Sequence, residues 1–417
     1  MIGASTPGRT LQFALLAMTA AAAMYARFSI AALQEAIRNA LSLTDNQMAL
    51  LQGPALALPM AIAAIPLGLL IDRYSRTRLL VVFAILYWLG TLLTALAPSF
   101  LMLFAARALV GLSVAAASTT VFSLLADLFD ETQRGRATMV VAIGQYGGIS
   151  SAFALGGVLL ASSAPGPDQW RHAMLEVSLP LVITAAMLVL MREPERNGVM
   201  MESPSLADVR GELWRYRAVI APLMVGLVLA EVGVLAVTTW AAPTFSRTFA
   251  LTPERIGALM ALALLVSGLS GPAVGGLLAD VCQKAGGARR TTLALSALAL
   301  LSAPVSLFPL APNPVAASVM LVAFLTLVTA ILVMGTTLFT IVVPNEVRGV
   351  CLASLAGAQV VFGVGLAPVV VSGLSGAIGG PAMIGRALAL ASLAAGFSSA
   401  AAFVLLWRRQ GTAHGVA

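Results

Sequence analysis

At 417 residues, 59% hydrophobic and 10% charged, with a mean hydropathy of +0.96, the chain carries too little charge to clothe a water-soluble surface, which ordinarily takes about a quarter charged residues. The net charge of +7 would suit nucleic acid, but the arginines are dispersed over short polar segments between apolar runs, as the positive-inside rule requires of a membrane protein. Two cysteines, Cys282 and Cys351, make neither a disulfide framework nor a metal centre, and no cofactor is expected.

The apolar runs are continuous, about 20 residues long and rich in Ala, Leu and Val, which predicts helices rather than the roughly ten-residue alternating strands of an outer-membrane barrel. Twelve spans follow along the chain, at about 11–37, 47–71, 79–97, 100–127, 137–162, 173–191, 218–243, 254–281, 291–310, 315–343, 350–377 and 383–407. The first is too long for a signal peptide and lacks a cleavage site, so it reads as a helix. Between the second and third lies "GLLIDRYSRTR", Gly68 to Arg78, with four charges in eleven residues. Its arginines hold a tight turn on the cytoplasmic side, and Gly68 permits close helix approach. Asp72, an acid at a membrane boundary, calls for a partner: a helix N-terminus, or an arginine such as Arg136.

The longest polar stretch, Arg192 to Arg217, reads as a cytoplasmic linker (192–217) with a short surface helix ending in "ELWRYR". It separates an N-terminal six-helix bundle (1–191) from a C-terminal one (218–417). The halves repeat. "GLLID" (Gly68–Asp72) recurs as "GLLAD" (Gly276–Asp280), Leu43–Thr44 as Leu251–Thr252, Arg134–Gly135 as Arg348–Gly349, and Gln145 as Gln359. Repeated halves point to a secondary transporter with its site between them. With both termini in the cytoplasm, seventeen of the 24 basic residues fall on cytoplasmic segments and five on outer loops, which sets the orientation. Arg-rich, nearly Lys-free loops fit a bacterial inner membrane.

The Gly68–Arg78 stretch resembles the signature loop of the major facilitator superfamily, with Ser75 standing where that family usually has glycine. "LFAARALVGLSVAA" (Leu103 to Ala116) resembles the motif that places an arginine on span four. The likeness covers the whole chain and implies a twelve-helix, all-α membrane fold in which Asp72, with Arg73, Arg76 and Arg136 and with Asp280 in the second half, controls cytoplasmic closure. "LSLTDNQMALLQG" (Leu41 to Gly53) and "SLLADLFDETQRGRA" (Ser123 to Ala137) look like the spinster-type branch. That branch tends to carry an Asp-Arg pair in span one, where this chain reads Ala26-Arg27. It also tends to carry a glutamate after the span-four arginine, where this chain reads Ser113-Val114-Ala115. Both candidate proton-binding acids are missing, so lipid transport does not carry over. The proline-containing span-five signature of drug antiporters is not intact either.

Ionisable residues inside spans cost roughly 2.5–3.5 kcal/mol each and are functional candidates by default. Arg27 and Arg107 come at similar depths in spans one and four, which the family resemblance places together along a central cavity. Arginine binds carboxylate or phosphate bidentately, so an anionic or zwitterionic solute is expected. The bland readings are a carbonyl or Glu35 as the partner of Arg27, and a structural ion pair for Arg107. Glu231, the mid-membrane acid, is the candidate proton carrier, with Glu35 near the outer end of span one; a structural salt bridge is the competing reading for Glu231. Gln145, Gln359, Tyr25 and Trp240 are further lining candidates, set against interhelical hydrogen bonding for the glutamines and an interface anchor for Trp240. His172 and His414 receive no role.

The expected protein is a monomeric, multi-pass secondary transporter of a small-molecule substrate, with protons as the coupling ion and the lipid bilayer as surroundings. A multidrug or lysolipid exporter of the same fold is the nearest alternative, and a transport-dead sensor or assembly component the next. No nucleophile–base set within the spans suggests an enzyme, no strand–glycine-loop pattern suggests a nucleotide site, and the two-bundle repeat disfavours a channel.

Overall fold

The computed structural model describes residues 7–194 and 206–413, and among these the chain is helical with no strand. Among the described residues, eleven helices are long and apolar enough to cross a membrane. They hold twelve spans because one, α10 (Pro253–Val305), contains two. As one straight helix its 53 residues would run about 80 Å, well over twice the hydrocarbon thickness of about 30 Å. The division falls at Gly286 and Gly287, where the backbone leaves helical geometry. Gly287 has φ 62° and ψ −154°, a conformation open to a residue without a Cβ.

Span one departs from its hydropathy. One helix to about Ile37 is expected, yet α1 (Pro7–Phe28) stops inside the apolar run, residues 29–33 form turns, and α2 (Gln34–Ala40) resumes. A helix can end in hydrocarbon only where other groups satisfy its last carbonyls. Here the Ser29 hydroxyl donates to the Ala26 carbonyl at 2.9 Å, and Arg107 donates to the carbonyls of both Ala26 and Arg27. Span two is also divided. Thr44 and Gln47 form a capping box that starts α3 (Asp45–Gln52), and after Gly53 the chain continues as α4 (Pro54–Arg73), with proline at its first position.

The remaining spans sit close to their expected limits: α5 (Arg76–Leu96), α6 (Phe100–Leu128), α7 (Glu131–Ser162) and α8 (Gln169–Met187). Beyond the linker, α9 (Leu206–Phe249) runs 44 residues without interruption, so "ELWRYR" belongs to the opening turns of span seven and is not a separate surface helix. Residues 195–205 of the expected linker, and His414, lie outside the described residues. After α10 come α11 (Pro314–Val342), α12 (Asn345–Ala358), a π-helical segment Gln359–Leu366, α13 (Ala367–Ile378) and α14 (Ile384–Ala413).

The chain forms two compact units, Met1–Met200 with Leu251–Leu265, and Met201–Ala250 with Val266–Ala417. Small residues set the packing of each, as expected where the surroundings are as apolar as the side chains. In the first unit, a Cβ on Gly111 of α6 would lie 2.6 Å from the Leu56 carbonyl oxygen of α4. The opening turns of α10 join this unit through α7: the Ser150 hydroxyl donates to the Ala261 carbonyl at 2.7 Å, beside the close approach of Gly157 and Gly257. In the second unit, a Cβ on Gly275 of α10 would lie 2.6 Å from the Ala330 carbonyl oxygen of α11. The two contacts join the corresponding span pairs, two with four and eight with ten, which is the internal repeat expressed as packing.

Candidate functional site

In the first unit the site is built around the broken end of α1. Arg107 is fully buried, and its two terminal nitrogens donate to the carbonyls of Ala26, at 3.3 Å, and Arg27. Its Nε has no hydrogen-bond partner among the described residues. The guanidinium thus acts as a fixed fork closing α1, not as a cavity-facing group and not as half of an ion pair. This alters the expectation of two arginines side by side in a cavity. Arg27, at the point Arg107 fixes, is half-buried and stacks on the Phe28 ring, 5.2 Å from its centroid. Tyr25 is only 4% exposed, so it packs inside the bundle; its hydroxyl has no hydrogen-bond partner among the described residues. Glu35 lies 3.8 Å from Arg38, which sits 2.9 Å from Asp45, a small charge cluster joining α2 to the start of α3.

In the second unit, Glu231 on α9 is half-buried and packs against the π-helical segment. A Cβ on Gly363 would lie 3.0 Å from Glu231 Cγ and Leu235 Cδ1, so glycine lets the acid lie close to this backbone. π-turns inside α-helices occur frequently at functional sites, because the widened turn interrupts the regular hydrogen-bond ladder. Gln359 opens the segment and is half-buried, as is Gln145 on α7 in the other unit. Trp240 is fully buried, with its indole N–H donating to the Pro368 carbonyl at 3.0 Å. A buried indole needs such an acceptor, and the residue joins α9 to α13 instead of lining an opening or anchoring at the interface.

The signature-loop residues divide into two groups. Asp72, Arg73, Arg136 and Asp280 are exposed, whereas Arg76 is 5% exposed and is the centre of a network. It pairs with Asp127 at the end of α6, and its Nε lies 3.2 Å from Glu193 Oε1. Glu193 also accepts the backbone N–H groups of Arg76 (3.1 Å) and Thr77 (2.9 Å) and the hydroxyls of Ser75 (2.6 Å) and Thr77 (2.7 Å). Glu193 thereby caps the N-terminus of α5, the helix that follows the signature loop. Partial burial would push the Glu193 carboxyl up, but the hydrogen bonds from Ser75, Thr77 and Arg76 outweigh it and hold the pKa at about 2. The proposed partner Arg136 stays at the surface, while Arg134 spends its guanidinium on the carbonyls of Ala126 and Phe129.

Sequence reasoning did not single out Asp127 or Glu193. Each had a signal: Asp127 is an acid in the last turn of a predicted span, at the depth where Arg76 begins the neighbouring one. Glu193 stands beside a proline where span six stops.

A twelve-span helical protein of two compact units, with an internal repeat and ionisable groups inside its spans, has the architecture of a secondary transporter. The family model of the Major Facilitator Superfamily matches residues 14–358, and the chain belongs to that superfamily. It is similar over 97% of its length to a bacterial homologue of the human lysosomal transporter Spinster, solved in an inward-facing, unoccupied conformation, with a TM-score of 0.77, 21% identity and 95% of that chain covered. It is also similar to a D-xylose–proton symporter, with a TM-score of 0.71, 15% identity, and 94% and 97% of the two chains covered. At these identities the likeness is one of fold. Protein spinster of Drosophila melanogaster is 29% identical over 171 residues, 41% of this chain and 27% of its own. The curated relatives are matched over 24–41% of their own lengths. The chain is thus a multi-pass membrane protein of this superfamily, with the fold of the bacterial Spinster homologue.

Proposed function

We propose that this transporter carries a small anionic or zwitterionic organic solute across the cytoplasmic membrane by alternating access, coupled to protons, with both termini in the cytoplasm and the 1–191 and 218–417 bundles as its moving parts. The observation that carries the reading is the arginine at the broken end of α1. A mid-span helix end with an ionisable residue is where transporters of this type place their ligands. Arg27 engages the anionic group. Arg107 is a positioning residue that holds the carbonyl end of α1, and with it Arg27, in place. Glu231, pressed against the π-turn, exchanges the proton, while Glu35 lies in the outer charge cluster. Gln145 and Gln359 offer hydrogen bonds to the solute, and Tyr25 and Trp240 give the two bundles their shape without contacting it. Asp72, Arg73, Arg136 and Asp280 govern closure at the cytoplasmic end, with the Arg76–Asp127–Glu193 network keeping the first unit rigid there.

Counterflow in proteoliposomes with a panel of radiolabelled mono- and dicarboxylates tests this. Exchange of at least one organic anion, lost in Arg27→Gln, is expected, with uphill accumulation of the same anion when an inward proton gradient replaces the preloaded solute. Flux of cationic amphiphiles with no anion flux favours the exporter alternative and overturns the proposal.

A further inference from the structure

The opening turns of α9, the middle of α10 and the end of α14 converge on one face of the second unit; in the first unit the comparable contact is Arg9 over a phenylalanine, Phe129, 4.8 Å from its centroid. The end of α14 is tied to the start of α9 by Arg409, whose Nη1 donates to the Ala218 carbonyl at 3.0 Å. The middle of α10 joins them where the Arg289 guanidinium lies over the Trp407 ring, 5.0 Å from its centroid. On α9 the Arg217 guanidinium covers Trp214 at 4.0 Å, and Arg215 lies 5.7 Å from the Tyr216 centroid. Trp214 itself is 69% exposed.

The charge on this face is one-sided. Arg215 and Arg217 of α9, together with Lys284, Arg289 and Arg290 of α10 and Arg408 of α14, are all exposed. Along residues 214–218, 280–290 and 407–410 the acid is Asp280 alone. In the first unit Arg76 is spent on two carboxylates and Arg134 on helix carbonyls, as Arg348 is on the Val343 carbonyl in the second, and Arg217 itself gives one terminal nitrogen to the Trp214 carbonyl at 2.6 Å. The positive-inside rule explains why cations gather at one end of the spans. It does not explain why they stack on indoles at a point where three helices meet. A guanidinium stacked on an aromatic face keeps its in-plane donors for a bidentate oxyanion. Tryptophan settles at the headgroup level of a bilayer.

We propose that this aromatic and basic face binds the phosphate of an anionic phospholipid headgroup. Basic surfaces between transmembrane helices have the chemistry to do so, at about fivefold in affinity per cation near a negatively charged leaflet. The inference is independent of which solute is carried, and of whether any is.

The test uses the full chain in phosphatidylcholine nanodiscs titrated with phosphatidylglycerol, with bound lipid counted by native mass spectrometry. Retention of phosphatidylglycerol over phosphatidylcholine is expected, falling with added salt. The triple variant Arg217→Gln/Arg289→Gln/Arg408→Gln should weaken it roughly a hundredfold. The triple lysine variant should keep most of the binding, and Arg78→Gln in the first unit should keep all of it. Unchanged melting temperatures establish that the variants fold. Equal retention of both lipids, full retention by the glutamine variant, or displacement by millimolar inorganic phosphate would overturn the assignment.

Discussion

Replacing Arg107 with methionine tests the role of the buried guanidinium, because the substitution keeps an unbranched apolar stem and removes the donors together with the charge. Two charge-assisted hydrogen bonds are lost, worth about 1.5–3 kcal/mol each, and the Arg27 carbonyl loses the donor that Arg107 supplies inside a span. The Ala26 carbonyl retains Ser29 as a donor. Relief from burying a charge offsets part of the loss. The balance is about 2–4 kcal/mol of destabilisation, or a fall in melting temperature of roughly 5–15 °C for a unit of about 200 residues. Thermal unfolding in detergent, followed by intrinsic fluorescence at fixed protein and detergent concentration, reads this directly. Arg107→Lys should fall between wild type and methionine. Ser29→Ala alone should cost about 1 kcal/mol, while the double variant should exceed the sum, since each residue then lacks the other as a substitute on Ala26. An Arg107→Met protein that melts at or above the wild-type temperature would show that the guanidinium does not close α1, and the account of how Arg27 is placed would fall.

Glu193 gives a pH signature. Its folded pKa of about 2 lies below the ordinary value of about 4.3, so its contribution to stability is fully present above about pH 4.3 and is lost as pH falls towards 2. Glu193→Gln should melt below wild type at pH 6, with the gap narrowing between about pH 4 and pH 2; a constant gap would contradict the capping role. Gly111→Ala places a Cβ against the Leu56 backbone and should cost about 1–3 kcal/mol, read as a lowered melting temperature. Glu231→Gln should leave solute exchange intact while abolishing pH-driven accumulation in proteoliposomes, and persistence of uphill transport would remove this residue as the proton carrier.

Hydropathy located the spans to within a few residues because burial in lipid demands continuous apolar runs, and the repeat was legible as recurring short motifs. Where the two differ, a polar contact made in three dimensions decides. The break after Phe28 lies in an apolar stretch with no glycine or proline; it exists because Arg107, eighty residues further on, supplies the donors. The division of α10 was legible, since Gly286 and Gly287 are helix breakers within a basic loop. Arg27, Arg107 and Glu231 stood out as charges within spans, but their orientations did not: period and depth say nothing of whether a guanidinium turns to a cavity or to a carbonyl. Trp240 reads the same in sequence whether it lines a path or packs, and only its bond to Pro368 distinguishes them. Asp72 drew attention as the acid of a known motif, while Glu193 holds the helix end that motif adjoins.

The claim that matters most is that Arg27 receives the anionic group of the transported solute. A thermal-shift screen of the purified wild type and Arg27→Gln against organic anions, sugars, lysolipids and cationic drugs addresses it in one experiment, since a bound ligand raises the melting temperature by mass action. The account predicts stabilisation of the wild type by at least one organic anion or zwitterion, about 2.7 kcal/mol at a hundredfold excess over Kd, and none of the variant. Stabilisation by cations alone, or by anions equally in both proteins, would contradict it.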